Sequence, residues 1–183
     1  MFSLEIDEDL TLRLLHQGDA KDLFDLTDRS REHLREWLPW LDQTKTERDS
    51  KNFIQSAEQG FIDRNGLTLG IYYHQKLAGV IGFNSFDWTN RIGIIGYWLG
   101  EDFIGNGIMT RAAAAITEYG FHQLELNRIE IRAAVENTKS RAIPERLGYT
   151  KEGQIRHGEW LYNHYVDLVI YGMLAYEWEL ERS

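Results

Sequence analysis

Two glycines, Gly105 and Gly107, lie between an apolar, β-prone run that ends at Leu99 and a helical pattern that starts at Ile108. Glycines allow the backbone N–H groups of such a loop to converge, and a helix N-terminus adds about half a positive charge. The loop is therefore a candidate anion site that suits a pyrophosphate, with the Thr110 hydroxyl near the first helical turn. A glycine pair is also common turn geometry, so the spacing alone leaves both interpretations open.

The residues around these glycines argue against two familiar nucleotide sites. No Gly-Lys-Ser/Thr follows, as a Walker loop would require, and the third glycine of a dinucleotide-binding fingerprint is missing. Kinase and dehydrogenase functions are therefore disfavoured.

Further along the chain, Asn137 and Ser140 follow a predicted strand and begin a short helical pattern. Asn and Ser often cap helices, and spacing alone favours that structural role over a chemical one. Glu159 lies on a later predicted strand, where position and residue type alone indicate a surface carboxylate. Its rivals among the titratable residues that could serve as a base are Glu130, Glu136 and His157.

Trp37 and Trp40 end the first helical pattern, and they either pack in the core or shape a substrate groove. Sequence alone favours the core. A basic cluster of Lys139, Arg141 and Arg146 could meet a phosphate, although a solvated helix face is the default for such a cluster.

The composition excludes other chemistries. There is no cysteine, which removes thiol nucleophiles, disulfides and thiolate zinc sites. The six histidines show no ligand spacing such as His-x-x-x-His, so we expect no metal site.

The glycine loop resembles the pyrophosphate loop of the GNAT superfamily of acyl-CoA-dependent N-acyltransferases, Gln/Arg-x-x-Gly-x-Gly/Ala. Here it reads Asp102-Phe103-Ile104-Gly105-Asn106-Gly107, and Asp102 departs from the pattern. Nearly the whole chain resembles the branch of ribosomal-protein N-terminal acetyltransferases. The segments that carry this likeness are 36–40, 137–140, 145–149 and 162–168, and the likeness to the superfamily also includes 126–129.

The resemblance implies acetyl-CoA as co-substrate and assigns roles to residues. A backbone N–H near Tyr97 or Trp98 would stabilise the oxyanion, Asn137 would contact pantetheine, and the Ser140 hydroxyl would serve the leaving sulfur. Glu159 would be the catalytic base beside the acceptor, in a groove shaped by Trp37 and Trp40. The implied coenzyme-binding set is Tyr97, Trp98, Leu99, Ile104, Gly105, Asn106, Gly107, Ile108, Thr110, Asn137, Ser140 and Arg146.

The implied reaction is direct acetyl transfer to an amine, with a protein N-terminus, including that of a ribosomal protein, as the expected acceptor. An α-amine has a pKa of about 7.7 to 8.0 against about 10.4 for lysine, so it loses its proton far more easily near neutral pH. Small-molecule amines such as polyamines and amino sugars stay open as acceptors. A non-catalytic acyl-CoA sensor and a nucleotide-binding enzyme are weaker alternatives.

Hydrophobic periodicity predicts the elements that must position these residues. Strands are expected over 11–15, 67–73, 77–86, 91–99 and 128–135, with a final pair over 149–173 around the turn at 161–163. Helices are expected from Gly18 to Leu38, 46–60, 108–124 and 140–147. This order predicts an α/β fold with a mixed sheet. The resemblance adds that the sheet is mostly antiparallel, flanked by helices, and opens between the strand ending at Leu99 and the strand beginning near Arg128.

Length and charge fix the broad class. The 183 residues suit one domain, 1–183, and the formal net charge of −9 disfavours nucleic acid as a partner. The N-terminus lacks a signal peptide pattern and no apolar run reaches membrane-spanning length, so we expect a cytoplasmic protein without a membrane partner. The sequence leaves homo-oligomerisation open.

Overall fold

The computed structural model describes residues 2–182, and within them it has one eight-stranded sheet in the spatial order β1-β2-β3-β4-β5-β6-β8-β7. Neighbouring strands are antiparallel except β5 and β6, which are parallel. The predicted mixed, mostly antiparallel α/β fold is confirmed. The strands are β1 (Ser3–Glu5), β2 (Leu10–Leu14), β3 (Leu67–Tyr73), β4 (Lys76–Asp87), β5 (Ile92–Leu99), β6 (Arg128–Ala134), β7 (Thr150–Leu161) and β8 (His164–Leu174).

The α-helices are α1 (Ala20–Arg29), α2 (Arg31–Arg35), α3 (Glu47–Ile62), α4 (Ile108–His122), α5 (Thr138–Arg146) and α6 (Ala175–Arg182). The expected single helix from Gly18 to Leu38 is wrong, because α1 ends and α2 begins around Ser30. Ser30 leaves helical geometry, with φ −102° and ψ 12°, and its hydroxyl oxygen accepts a 3.0 Å hydrogen bond from the Glu101 backbone N–H. A contact so distant in sequence leaves no trace in local periodicity.

Local sequence sets the start of α3 and the turn between β3 and β4. The Thr46 hydroxyl accepts from the Asp49 N–H, and the Asp49 carboxylate accepts from the Thr46 N–H, which is a capping box. His74 and Gln75 both have positive φ, which a tight two-residue hairpin turn requires.

Two apolar clusters hold the sheet between helices. Successive residues of β4 point to opposite faces, so that Ile81 belongs to the larger cluster and Val80 to the smaller one. Helices α4, α5 and α6 contribute to the larger cluster, and α1 and α3 to the smaller.

Strand β1 and helix α6 were not predicted. β1 has only three residues, too few to show a periodicity. Helix α6 is attached through Trp178, which is 1% exposed and packs against Phe121 with ring centroids 6.2 Å apart. In the described residues 2–182, no helix is both long and apolar enough to cross a lipid bilayer.

Candidate active site

The sheet opens where β5 and β6 diverge. Their parallel pairing runs from Ile92 opposite Arg128 to Ile95 opposite Ile131, and among the described residues it extends no further. Beyond this point β5 stays paired with β4, and β6 with β8. The 96–99 stretch of β5 therefore has one backbone edge without a strand partner, and such an edge can hydrogen-bond a ligand.

A cavity of about 1000 Å³ occupies this opening. Its walls come from the loop after α2, the end of β5, the glycine loop, the first turn of α4 and the start of α5. The predicted site residues in the lining are Trp37, Tyr97, Trp98, Leu99, Ile104, Gly105, Gly107, Ile108, Thr110, Asn137, Ser140 and Arg146. Trp40, Asn106 and Glu159 lie outside it.

The glycine loop has the geometry of an anion site. Gly105 and Gly107 have φ of 92° and 68°, in the left-handed region that favours glycine, and Gly107 caps α4. Within residues 2–182, the backbone N–H groups of Gly105, Asn106 and Gly107 donate to no protein acceptor. The Asn106 side chain bonds the Phe103 carbonyl at 3.2 Å, so its contribution to a ligand would come from the backbone.

Three basic side chains line the same cavity as this loop, although the chain is acidic overall. Arg111, Lys139 and Arg146 line the cavity, and no acidic residue lies in the first turn of α4. Arg146 donates to the Thr110 hydroxyl at 3.5 Å. Asp102, the departure from the motif, lies 3.8 Å from Arg29 and outside the lining, so it leaves the loop amides unobstructed.

Sequence reasoning missed Arg111. Its guanidinium donates to the carbonyl oxygens of Asn106 at 3.1 Å and Gly107 at 3.3 Å, which turns those carbonyls toward Arg111. It also forms an ion pair of 2.6 Å with Asp7. Its position four residues after Gly107, one helical turn away, was the only signal available.

Tyr97 and Ser140 meet across the opening. The Tyr97 hydroxyl donates to the Ser140 backbone carbonyl at 2.8 Å, and the Ser140 hydroxyl lies 3.5 Å from the same phenolic oxygen. Burial raises the pKa of Tyr97 above its ordinary value, so the phenol stays protonated and remains a donor. The carbonyl is available because Pro144, four residues on within α5, has no N–H with which to form the helical bond.

Asn137 performs the structural role that its spacing favoured. Its side-chain oxygen accepts from the Ser140 backbone N–H at 3.3 Å and so caps α5. Both side chains also line the cavity. The cap holds the start of α5, and with it the Ser140 hydroxyl, beside the open edge of β5.

Glu159 lies half-buried on β7, opposite Val166 of β8. Within the described residues its carboxylate has no hydrogen-bond or ion-pair partner, and burial raises its pKa above the ordinary value. A raised pKa makes a carboxylate a stronger base. Because Glu159 is outside the cavity lining, it would act at the rim or through a water molecule.

The rival bases differ in their surroundings. Glu130 is held by Arg128 at 3.3 Å and Arg132 at 3.0 Å, which ties up its carboxylate. Glu136 is exposed and lines the cavity, while His157 is exposed on β7. Glu136 is therefore the rival best placed for chemistry in the cavity.

The two tryptophans occupy different positions, and both are half-buried. Trp37 lines the cavity, whereas Trp40 packs against Trp98 with ring centroids 6.0 Å apart. Near Trp37 the lining includes residues that the sequence analysis did not single out: His33, Leu34, Glu36 and Leu38. Together with Trp37 they form the part of the cavity wall that comes from α2 and the loop after it.

Comparisons with known proteins agree with this geometry. The model of the acetyltransferase (GNAT) domain matches residues 9–150. "Putative ribosomal N-acetyltransferase YdaF" of Bacillus subtilis (strain 168) is 38% identical over 183 residues, all of both chains.

Two solved structures are similar over nearly their full length. The microcin C7 self-immunity acetyltransferase MccE, in complex with acetyl-CoA and AMP, is 32% identical with a TM-score of 0.89, covering 92% of this chain and 94% of its own. RimL, a ribosomal L7/L12 alpha-N-protein acetyltransferase in complex with coenzyme A, is 25% identical with a TM-score of 0.91, covering 94% and 98%. The chain is an acetyltransferase and belongs to the GNAT family.

Proposed function

We propose that this enzyme transfers the acetyl group of acetyl-CoA to the α-amino group of a protein N-terminus, by direct attack and without a covalent enzyme intermediate. The observation that carries the proposal is the opening of the sheet after Ile95. There the free edge of β5, the unpaired amides of the glycine loop and the Ser140 hydroxyl face one cavity.

Acetyl-CoA fits the groups that line this cavity. The N–H groups of Gly105, Asn106 and Gly107, with the N-terminus of α4, suit a pyrophosphate. Arg146 and Lys139 suit the remaining phosphate, and the open edge of β5 suits the amide-bearing pantetheine arm. The coenzymes named for the MccE and RimL structures support this assignment.

The chemistry assigns one task to each group. The neutral amine attacks the thioester carbonyl, and a backbone N–H of β5 near Tyr97 stabilises the oxyanion that forms. As the C–S bond breaks, the Ser140 hydroxyl gives its proton to the departing thiolate and regains one from water in the cavity. The proton lost by the amine passes to Glu159, directly or through a water molecule.

The acceptor is inferred from the relatives and from charge. YdaF is named for ribosomal N-acetylation and RimL for the α-amine of a ribosomal protein. Glu36 and Glu136 line the cavity and would attract a cationic amine. An α-amine then needs only about 1 kcal/mol to lose its proton at pH 7.

A panel of acceptors tests the proposal, with release of free CoA thiol as the readout. The panel holds short peptides with free N-termini, the same peptides with acetylated N-termini and an internal lysine, polyamines and amino sugars. We expect free α-amines to give the highest kcat/KM and blocked peptides to give almost none. Acetyl-CoA binding by calorimetry without thiol release on any amine would instead identify a non-catalytic sensor.

A small amine that carries a nucleotide is the second candidate acceptor. The similarity to MccE, whose structure contains AMP, favours it, as does the indole of Trp37 in the cavity, onto which a base could stack. An aminoacyl nucleotide analogue is therefore added to the panel. A kcat/KM for this analogue above that of every peptide would replace the protein N-terminus as the proposed acceptor.

A further inference from the structure

We propose that Tyr162 is a positioning residue for the acceptor, fixing the wall that carries Trp37 relative to the hairpin that carries Glu159. The inference rests on the proposed function, since it concerns acceptor binding. Tyr162 lies outside the cavity lining and would act through the loop of residues 37–41.

One hydroxyl holds both sides of this loop. The Tyr162 hydroxyl donates to the Leu38 carbonyl at 2.5 Å and accepts from the Leu41 N–H at 3.2 Å. These two backbone groups flank Pro39 and Trp40, and Pro39 has no N–H of its own to stabilise the loop. The side chain therefore satisfies an acceptor 124 residues away in sequence, the Leu38 carbonyl, and a donor 121 residues away, the Leu41 N–H.

The ring of Tyr162 also has a contact, with helix α2. The Arg35 guanidinium lies 3.8 Å from the ring centre, and it also forms two hydrogen bonds, of 2.9 and 3.0 Å, to Asp42. Arg31 donates to the carbonyls of Leu41 and Thr44 at 2.8 and 2.7 Å. Helix α2, the loop and the tip of the β7–β8 hairpin are thereby joined into one unit.

This unit connects the two sides of the proposed acceptor site. Trp37 and Leu38 line the cavity, and Trp40 packs on Trp98 of β5. Tyr162 follows Glu159 by three residues, at the hairpin turn, where its φ is 59°. The Tyr162 contacts therefore set the separation between the Trp37 wall and Glu159, and catalysis is sensitive to misplacement of about 1 Å.

The test is Tyr162→Phe, which keeps the ring over Arg35 and removes both hydrogen bonds. The matched control is Tyr165→Phe on the same hairpin, because the Tyr165 hydroxyl bonds nothing among the described residues and its ring is exposed. We expect Tyr162→Phe to raise the acceptor KM and lower kcat/KM by about tenfold. The dissociation constant of acetyl-CoA should stay within twofold, and the Leu41 amide should exchange its hydrogen faster. Tyr165→Phe should match the wild type in every measurement.

Two results would overturn the inference: a kcat/KM within twofold of the wild type, or an equal loss of affinity for acetyl-CoA, which would mean that the contact supports the whole site. If Tyr162→Phe lowers the melting temperature but leaves kcat/KM within twofold of the wild type, the contact is purely structural and the inference is wrong. The assay uses the acceptor with the highest kcat/KM in the panel. If the wild type acetylates only small amines, the protein N-terminus is wrong as the acceptor, but the role of Tyr162 is still tested with the small amine. If the wild type acetylates no amine, both proposals fall.

Discussion

The Tyr97 hydroxyl donates a 2.8 Å hydrogen bond to the backbone carbonyl of Ser140, which Pro144 leaves without a helical donor. The bond ties β5 to α5 across the opening of the sheet. A proline inside a helix normally weakens it by removing a hydrogen bond. In α5 the same missing bond leaves the Ser140 carbonyl free to accept from Tyr97 of β5. Ser140 is consequently fixed on two sides, by Tyr97 and by the cap from Asn137.

Tyr97→Phe is expected to destabilise the protein and slow the reaction. It removes a hydrogen bond to the part-buried Ser140 carbonyl, a loss of about 1 kcal/mol, and it frees Ser140 to move. The free energy of unfolding from urea titration and the kcat with saturating substrates measure the two effects.

The matched control for this prediction is Tyr149→Phe. The Tyr149 hydroxyl also makes a hydrogen bond, of 2.7 Å to Thr117, but this bond is fully buried and Tyr149 lies outside the cavity lining. Tyr149→Phe should lose at least as much stability as Tyr97→Phe and keep kcat. Equal losses of kcat in both variants would mean that stability alone explains the effect of Tyr97.

Ser140→Ala should lower kcat by about 10², a typical contribution from one general acid, with little change in acceptor KM. The fold should be preserved, because the cap from Asn137 uses the backbone N–H of residue 140, which alanine retains. Steady-state kinetics and calorimetry with acetyl-CoA check this. Loss of coenzyme binding would show that the hydroxyl is structural.

Glu159→Gln should bind acetyl-CoA normally and lose about 10² in kcat/KM at pH 7. Part of the rate should return as the pH rises through about 8, because the acceptor amine then loses its proton without help. A pH–rate profile from 6 to 9.5 measures this rescue. Full activity at pH 7 would eliminate Glu159 as the base and direct attention to Glu136, which lines the cavity.

The raised pKa of Glu159 predicts the sign of a stability change. In the unfolded chain the carboxyl has its ordinary pKa of 4.5, and in the folded protein its pKa is higher. The charged carboxylate therefore destabilises the folded state at pH values above both pKa values, and the protonated form has no such effect at pH values below both. Glutamine is neutral throughout. The difference in free energy of unfolding between Glu159→Gln and the wild type, measured by urea titration, should therefore favour the variant more at pH 7 than at pH 4. A difference that favours the variant more at pH 4 would mean that charged Glu159 has a stabilising partner.

Gly107→Val should abolish the rise in melting temperature that acetyl-CoA gives the wild type. The site has open space for a side chain, but at φ 68° a β-branched residue is strained, and relief of the strain would turn the loop amides. Gly60→Val is the control, because it also enters open space, inside α3, without a positive φ. A normal shift in Gly107→Val would remove the glycine loop from the coenzyme site.

Short-range patterns were sufficient for much of the fold. The Thr46 cap, the hairpin strands and the glycine pair before α4 are visible in the sequence because each depends on residues within a few positions of one another. The resemblance of the Gly105–Gly107 loop to the family's pyrophosphate loop then predicted the coenzyme site, and the family comparisons confirm the family membership.

Local sequence patterns gave no prediction, or a wrong one, where a residue far away in the sequence determines the geometry. The break at Ser30 depends on the Glu101 N–H, and the closure of the loop around Pro39 depends on Tyr162. Arg111 looked like an ordinary helix residue until the loop carbonyls were placed beside it.

The sequence by itself determined the fold class, because glycine conformational freedom, helix capping and hydrophobic periodicity are local properties. Its resemblance to a known family gave the family and the candidate site residues. Only the tertiary structure decided that Tyr97 rather than α5 satisfies the Ser140 carbonyl, and that Glu159 is half-buried without a partner outside the cavity lining. Those outcomes depend on how strands and helices far apart in the chain pack together, and packing sets the distances, the desolvation and the hydrogen-bond partners that residue spacing leaves open.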